Sequence, residues 1–288
     1  VLQSSIGNLP ELFVSFFALQ AGLVTVVQSA LIGSIFANSL LVLGLAFLFG
    51  GIKHGTQRFS SVAPRAIVIM MVLAVSALAM PTLAHILHTP AEAHEETLSI
   101  ASALVLLVIF FASIPFSLQG GPMVEAIHPA DRKQKPWSLL RVVAVLVAAG
   151  IFAAVTSDWF VEALQPTIET LHISQAFAGL VIVAIAGNAV ENLSGIRWAL
   201  KNKADFAISV IMNSSLQIAL ALTPILVLLS FFFTPVALTL VLPPLLVVGL
   251  ALTAILSALI VYDGESNWLE GLALVGLYLM IVIPFWWG

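Results

Sequence analysis

"GNLPE" at residues 7–11 and "GNAVE" at residues 187–191 both lie inside stretches that are otherwise almost wholly apolar. The same three residues, Gly, Asn and Glu, recur in the same order and at the same spacing. A carboxylate in so oily a setting needs a reason, and the reason depends on the setting. Of the 288 residues 61% are hydrophobic and only 8% are charged, against roughly 25% charged in an ordinary soluble domain. A soluble fold of this composition would carry a largely apolar surface. The sequence therefore reads as an all-α polytopic membrane protein. The absence of Cys excludes disulfides and thiolate metal sites.

Nine apolar segments are long enough for a hydrocarbon core of ~30 Å, which takes about 20 helical residues. They fall near 1–20, 22–50, 65–88, 97–118, 138–158, 173–200, 204–233, 235–261 and 267–287. Continuous apolar runs of this length are helices rather than barrel strands. The ten Lys and Arg are Lys53, Arg58, Arg65, Arg132, Lys133, Lys135, Arg141, Arg197, Lys201 and Lys203. If the segments alternate, all ten fall on one side, which the positive-inside rule makes cytoplasmic. The opposite loops carry Glu92, Glu95, Glu96, Asp158, Glu162 and Glu169. "YDGESNWLE" (262–270) is acidic yet falls on the basic side; acidic residues weigh little in the rule. A prokaryotic inner membrane is the expected location, with the lipid bilayer as surroundings.

A shift of 180 residues superposes Gly7 on Gly187, Asn8 on Asn188 and Glu11 on Glu191, and carries Ser34 of "GSIFAN" onto Ser214 of "NSSLQI". Weak internal symmetry of this kind is the usual trace of a duplicated transporter fold. The charge pattern runs the first motif span outward and the sixth inward, so the copies are inverted. One span precedes the motif span in the second copy and none does in the first. The expected organisation is residues 1–118 as a truncated first repeat, 119–137 as a cytoplasmic linker and 138–288 as the second repeat. Five plus five helices are expected when intact, with about nine here and the first, roughly 40 residues, missing.

Glu11 lies nine residues from the turn near Gln20, about 14 Å at the helical rise, near mid-membrane. A carboxylate there costs ~3 kcal/mol or more and marks a functional site. Gly7, Asn8 and Glu11 share one helix face. Pro10, lacking an N–H, frees the carbonyl of Ile6, and Gly7 loosens the backbone. Ser34 and Asn38 are four apart on the second span; Ser214 and Gln217 are three apart on the seventh. Carboxylate, amide, hydroxyl and carbonyl oxygens suit a hard cation such as Ca²⁺. Two carboxylates facing each other in a poorly hydrated site couple their titrations. One pair can then hold either a divalent cation or protons.

Residues 7–60 resemble the first repeat of the cation/proton exchangers of the calcium/cation antiporter superfamily, and "AGNAVENLSGIRWALKNKADFAISVIMNSSLQIALALTPILVLLS" (186–230) resembles the second. The resemblance implies a ten-helix inverted-repeat antiporter that exports Ca²⁺ in exchange for H⁺. It implies Glu11 and Glu191 as principal ligands and proton carriers, with Asn8, Asn188, Ser34, Ser214 and Gln217 nearby; Asn38, Gly7 and Gly187 complete the expected site. Two departures from the family pattern stand out. Asn192 follows Glu191 where His is common, and Asn213 precedes Ser214 and Ser215 where Gly is common. The segment after the second motif offers Gln217 and no acid, which favours protons over Na⁺.

Simpler readings stand beside these. Ser34, Asn38, Ser214 and Gln217 also read as interhelical hydrogen-bonding residues, and Asn213 and Ser215 as packing residues. His85, His88 and His94 with Glu92, Glu95 and Glu96 read as a solvated acidic loop before a proton or metal antenna. "HPADRKQKPW" (128–137) reads as a topology determinant with some affinity for anionic lipid. No enzymatic motif is complete: "HEE" (94–96) lacks a second His. No cofactor is expected beyond the transported Ca²⁺ and H⁺, and no nucleic-acid partner; oligomeric state is not legible. The alternatives are a Na⁺/Ca²⁺ or Na⁺/H⁺ exchanger on the same fold, or a passive cation channel.

Overall fold

The computed structural model describes residues 7–118 and 139–288. The helices are α1 (Leu9–Gln20), α2 (Val24–His54), α3 (Val62–Ile86), α4 (Glu95–Leu118), α5 (Leu139–Leu171), α6 (Gln175–Gly187), α7 (Ala189–Ala199), α8 (Ala204–Phe233), α9 (Pro244–Tyr262) and α10 (Trp268–Val282). Among the described residues, seven helices are long and apolar enough to cross a membrane, and α6 with α7 makes an eighth span bent by 65°. α1, the first expected span, is a shorter apolar helix within the described residues. The linker 119–137, with Arg132, Lys133 and Lys135, and Ile6 lie outside the described residues.

The 180-residue shift carries α1 onto α7, α2 onto α8 and α3 onto α9 within two residues at the helix starts, and α4 onto α10 with starts seven residues apart. It also carries the π-helical turn Ala37–Val42 inside α2 onto the π-helical turn Ile218–Leu222 inside α8. A π turn widens a helix locally and re-aims its side chains, and such turns gather at functional sites. α2 and α8 form the centre. α2 packs on α6, α7 and α10, α8 on α7, α3 and α4, and α1 on α5. Apolar attraction between helices is weak in lipid, so close backbone approach must substitute for it. Gly33 supplies one such crossing, where a Cβ would lie 2.6 Å from the Leu180 carbonyl oxygen. The outer faces of α4 and α5 expose Val105, Val108, Phe111, Ile151, Phe152 and Trp159, as lipid-facing helices do.

Three sequence expectations change. First, the span expected at 235–261 begins only at Pro244. Residues 235–243 form an extended strap whose backbone groups are satisfied by side chains from four helices, as buried backbone requires. Leu238 N–H donates to Ser230 Oγ (2.8 Å), Leu240 N–H to Ser99 Oγ (2.9 Å) and Leu242 N–H to Thr82 Oγ1 (2.8 Å). Gln28 Nε2 donates to the Thr239 and Val241 carbonyls at 2.9 and 3.0 Å. Second, the span expected at 138–158 continues to Leu171, so Asp158, Glu162 and Glu169 sit on helix rather than loop. Third, the fold is nearly but not wholly helical. β1 (Gln57–Arg58) pairs antiparallel with β2 (Glu265–Ser266).

That ribbon accounts for the off-pattern acidic loop. Arg58 Nε meets Glu265 Oε1 at 2.9 Å. Lys53 Nζ donates to the Leu200 carbonyl (3.0 Å), and Gln57 Nε2 to Asn202 Oδ1 (2.8 Å). The loops after α2, α7 and α9 therefore meet at one end of the bundle, as alternation of the spans requires. The α3–α4 connection and the strap meet at the other.

Candidate functional site

The two Gly-Asn-x-x-Glu motifs are helix starts inside the bundle. Asn8 occupies the N-cap position of α1 and Asn188 that of α7, with φ −83° and −104°, and each Glu sits in the first turn that follows. Free backbone N–H groups and the positive end of the helix dipole face an anion there. An Asn at this position ordinarily caps its own helix, yet neither side chain does so. The amide groups are available for the site instead. The sequence reading placed Gly7, Asn8 and Glu11 on one helix face and put the loosening of the backbone at Gly7 and Pro10. The structure puts the break at the Asn, because Gly-Asn is a better helix start than a helix interior.

Asn188 links the two halves. Its Nδ2 lies 3.3 Å from Glu11 Oε1, 3.0 Å from Ser34 Oγ and 3.0 Å from the Ala184 carbonyl. Ser34 Oγ also donates to Glu11 Oε1. Asn38 Nδ2 reaches Ser214 Oγ at 3.1 Å and Asn188 Oδ1 at 3.5 Å. Glu11, Ser34, Asn38, Asn188 and Ser214 thus form one hydrogen-bonded chain across α1, α2, the α6–α7 break and α8. Every member is buried, Glu11 to 1% exposure.

The glycines have a second use that the sequence reading missed. A Cβ on Gly7 would fall on the carboxylate of Glu191, and one on Gly187 would lie 3.5 Å from Cβ and Cγ of Glu11. The glutamate of each motif is seated over the glycine of the other. At Gly7 only a residue without a side chain leaves the Glu191 carboxylate this close to the partner backbone, whereas a methyl at Gly187 would make only ordinary contact with Glu11. The two halves are not in equivalent poses. Glu11 is sealed, whereas Glu191 is only partly buried.

Of the remaining expected residues, Asn8 and Gln217 are buried beside the cluster but outside its hydrogen-bonded chain. Gln217 Oε1, Glu11 Oε2 and Asn192 Oδ1 are buried oxygens without a hydrogen-bond partner among the described residues. Pro10 stands in the first turn of α1, where its missing N–H costs nothing, and its carbonyl accepts from Ser157 Oγ on α5 at 3.4 Å. Ser39 and Ser215 were not singled out as ligands. Their hydroxyls meet at 2.9 Å between the central helices, and the signal was present in "NSL" and "SSL" at 38–40 and 214–216.

The oxygen set is therefore two carboxylates, the amides of Asn8, Asn38, Asn188 and Gln217 and paired hydroxyls, with no imidazole or sulfur ligand in the cluster. Hard cations take such sets.

Residues 2–119 and 141–287 match the sodium/calcium exchanger protein family. The chain is 34% identical over 291 residues to the Ca(2+)/H(+) antiporter ChaA of Bacillus subtilis (strain 168), covering 99% of this chain and 82% of that protein. It is 32% identical over 301 residues to the Ca(2+)/H(+) antiporter of Aphanothece halophytica, covering 99% and 80%. The solved structure of native YfkE superposes with a TM-score of 0.82 at 33% identity, covering 97% of this chain and 81% of that one. With seven membrane-length apolar helices among the described residues, the chain is an integral membrane protein that belongs to the sodium/calcium exchanger protein family.

Proposed function

We propose that this protein is a Ca²⁺/H⁺ antiporter that works by alternating access at the paired glutamates Glu11 and Glu191. The carrying observation is Glu11 Oε2, a buried carboxylate oxygen with no hydrogen-bond partner among the described residues. A buried group left unsatisfied costs about 1–3 kcal/mol, and more when charged. A bound cation or a proton removes that cost, and a site built to be satisfied by either is a site of exchange. Relatives named Ca(2+)/H(+) antiporters, covered over four-fifths of their length, support these two ions.

In the proposed cycle the deprotonated pair binds Ca²⁺ from the cytoplasm, with Asn188, Asn8 and the Ser34 and Ser214 hydroxyls completing the oxygen shell. Protons from the other side then displace the ion. Neutralising the carboxylates either way lowers the cost of carrying the loaded site across the membrane field. The unequal burial of Glu11 and Glu191 supports a conformation in which one glutamate is sealed while the other retains access. The inverted halves, 1–118 and 138–288, would exchange these roles in the opposite conformation. The cytoplasmic placement of the basic loops belongs to the same proposal.

The test is ⁴⁵Ca²⁺ uptake into inside-out vesicles under an imposed inside-acid gradient. Uptake that collapses when the gradient is dissipated supports the reading. Uptake that ignores the pH gradient and follows a Na⁺ gradient overturns the proton coupling while leaving the family unchanged.

A further inference from the structure

The α3–α4 connection gathers groups that the oxygen cluster does not use. His85 is in the last turn of α3, Glu92 in the 3₁₀ turn Pro90–His94, and Glu95 at the start of α4. His85 Nδ1 lies 2.5 Å from Glu95 Oε1 and 3.5 Å from Glu92 Oε1. One ligand atom from each of the three falls within 4.8 Å of the other two. His88 Nδ1 adds a fourth group, 3.1 Å from Glu92 Oε2. The turn is held tightly: Thr89 N–H donates to the Ala84 carbonyl at 3.1 Å and Glu92 N–H to the Thr89 carbonyl at 2.9 Å. His88 itself adopts φ 50°.

We propose that His85, Glu92 and Glu95, with His88 alongside, bind one borderline divalent transition-metal ion, of which Zn²⁺ is the representative. Two carboxylates face a single imidazole, so the group is negative before a cation arrives. The ligand types are imidazole nitrogen and carboxylate oxygen, at 2.0–2.2 Å from Zn²⁺. Tetrahedral binding at those lengths puts ligand atoms ~3.4 Å apart, and the observed spacings of 2.5 and 3.5 Å bracket that value. The side chains are 31–47% exposed, which leaves an entry path and room for a water as a further ligand. The nitrogen distinguishes this site from the central one, since Ca²⁺ prefers oxygen alone. The ion would tie the end of α3 to the start of α4. Those helices also grip the strap through Thr82 and Ser99.

The experiment uses the full chain in lipid nanodiscs, with Zn²⁺ followed by calorimetry and Co²⁺ by its visible absorption. The expected result is one Zn²⁺ per chain, unchanged in Glu11→Gln and not displaced by a large excess of Ca²⁺. His85→Ala and Glu95→Gln are each expected to weaken it by about tenfold or more; both positions are partly exposed, so the fold survives. Absence of Zn²⁺ binding overturns the proposal. So does binding that persists in the His85→Ala, Glu95→Gln double variant, or binding that is lost in Glu11→Gln. The Glu11→Gln arm separates failure here from failure of the transport reading.

Discussion

Gly7→Ala tests the reciprocal seating of the glutamates. The new methyl would occupy the position of the Glu191 carboxylate, so the carboxylate must swing out of the site. No positive φ is involved at Gly7, and Ala is a better helix residue than Gly by about 1 kcal/mol. The fold should therefore be kept or slightly strengthened while the site loses a ligand. A charge-assisted interaction is worth about 1.5–3 kcal/mol, and about 1.4 kcal/mol is tenfold in affinity. The Kd for Ca²⁺ should rise roughly tenfold to a hundredfold. At a Ca²⁺ concentration of a hundred times the native Kd, binding stabilises the native protein by about 2.7 kcal/mol. In Gly7→Ala that should fall to about 0.4–1.4 kcal/mol by the same relation, read as a smaller Ca²⁺-induced rise in Tm. Gly187→Ala is the control, because its methyl would meet Glu11 only at 3.5 Å, an ordinary contact. Equal Ca²⁺ responses in the two variants, or an unchanged response in Gly7→Ala, would refute the seating argument.

Two further predictions concern the scaffold. Thr82→Val strips the Leu242 N–H of its acceptor and the Leu240 carbonyl of its donor; the cost should be about 1–3 kcal/mol, with faster amide hydrogen exchange at Leu242, and unchanged exchange would mean the strap is held by other contacts. Arg58→Gln removes an ion pair whose side chains are 83% and 44% exposed, so the loss should stay below ~1 kcal/mol; a large drop in Tm would show the β1–β2 ribbon to be a structural lock.

Much of this arrangement is legible in the residues, and the exceptions have physical causes. Glu11 and Glu191 are conspicuous because carboxylates are costly among apolar neighbours, and the repeat shift then points to Ser34 and Ser214. Asn38 is legible as one helical turn beyond Ser34, and the structure places it across the gap against Ser214. The helix break at Asn188 was less visible, since Gly-Asn reads as loosened helix unless the first turn after it is recognised as a new start. The strap at 235–243 was hidden by composition: "PVALTLVLPP" (235–244) is apolar enough to pass for a span. Its three prolines were the available warning, and its alternate backbone groups needed Ser99, Thr82 and Gln28 from distant segments, which no local pattern announces. α5 was cut short because Asp158, Glu162 and Glu169 were read as a loop, although a helix can carry acids on an exposed face. The exchange of seats between Gly7 and Glu191 is a tertiary fact and leaves no mark in the spacing.

The central claim is that one pair of carboxylates holds either Ca²⁺ or protons. The most direct measurement is proton release on Ca²⁺ binding to the purified protein in weakly buffered solution, together with the Kd across a pH series. Protons competing for the same oxygens must weaken Ca²⁺ binding as pH falls. The account predicts release of protons with each Ca²⁺ bound, a Kd that rises as pH is lowered, and loss of both effects in Glu11→Gln and Glu191→Gln. Ca²⁺ binding that releases no proton at any pH, or release that survives both substitutions, would contradict it.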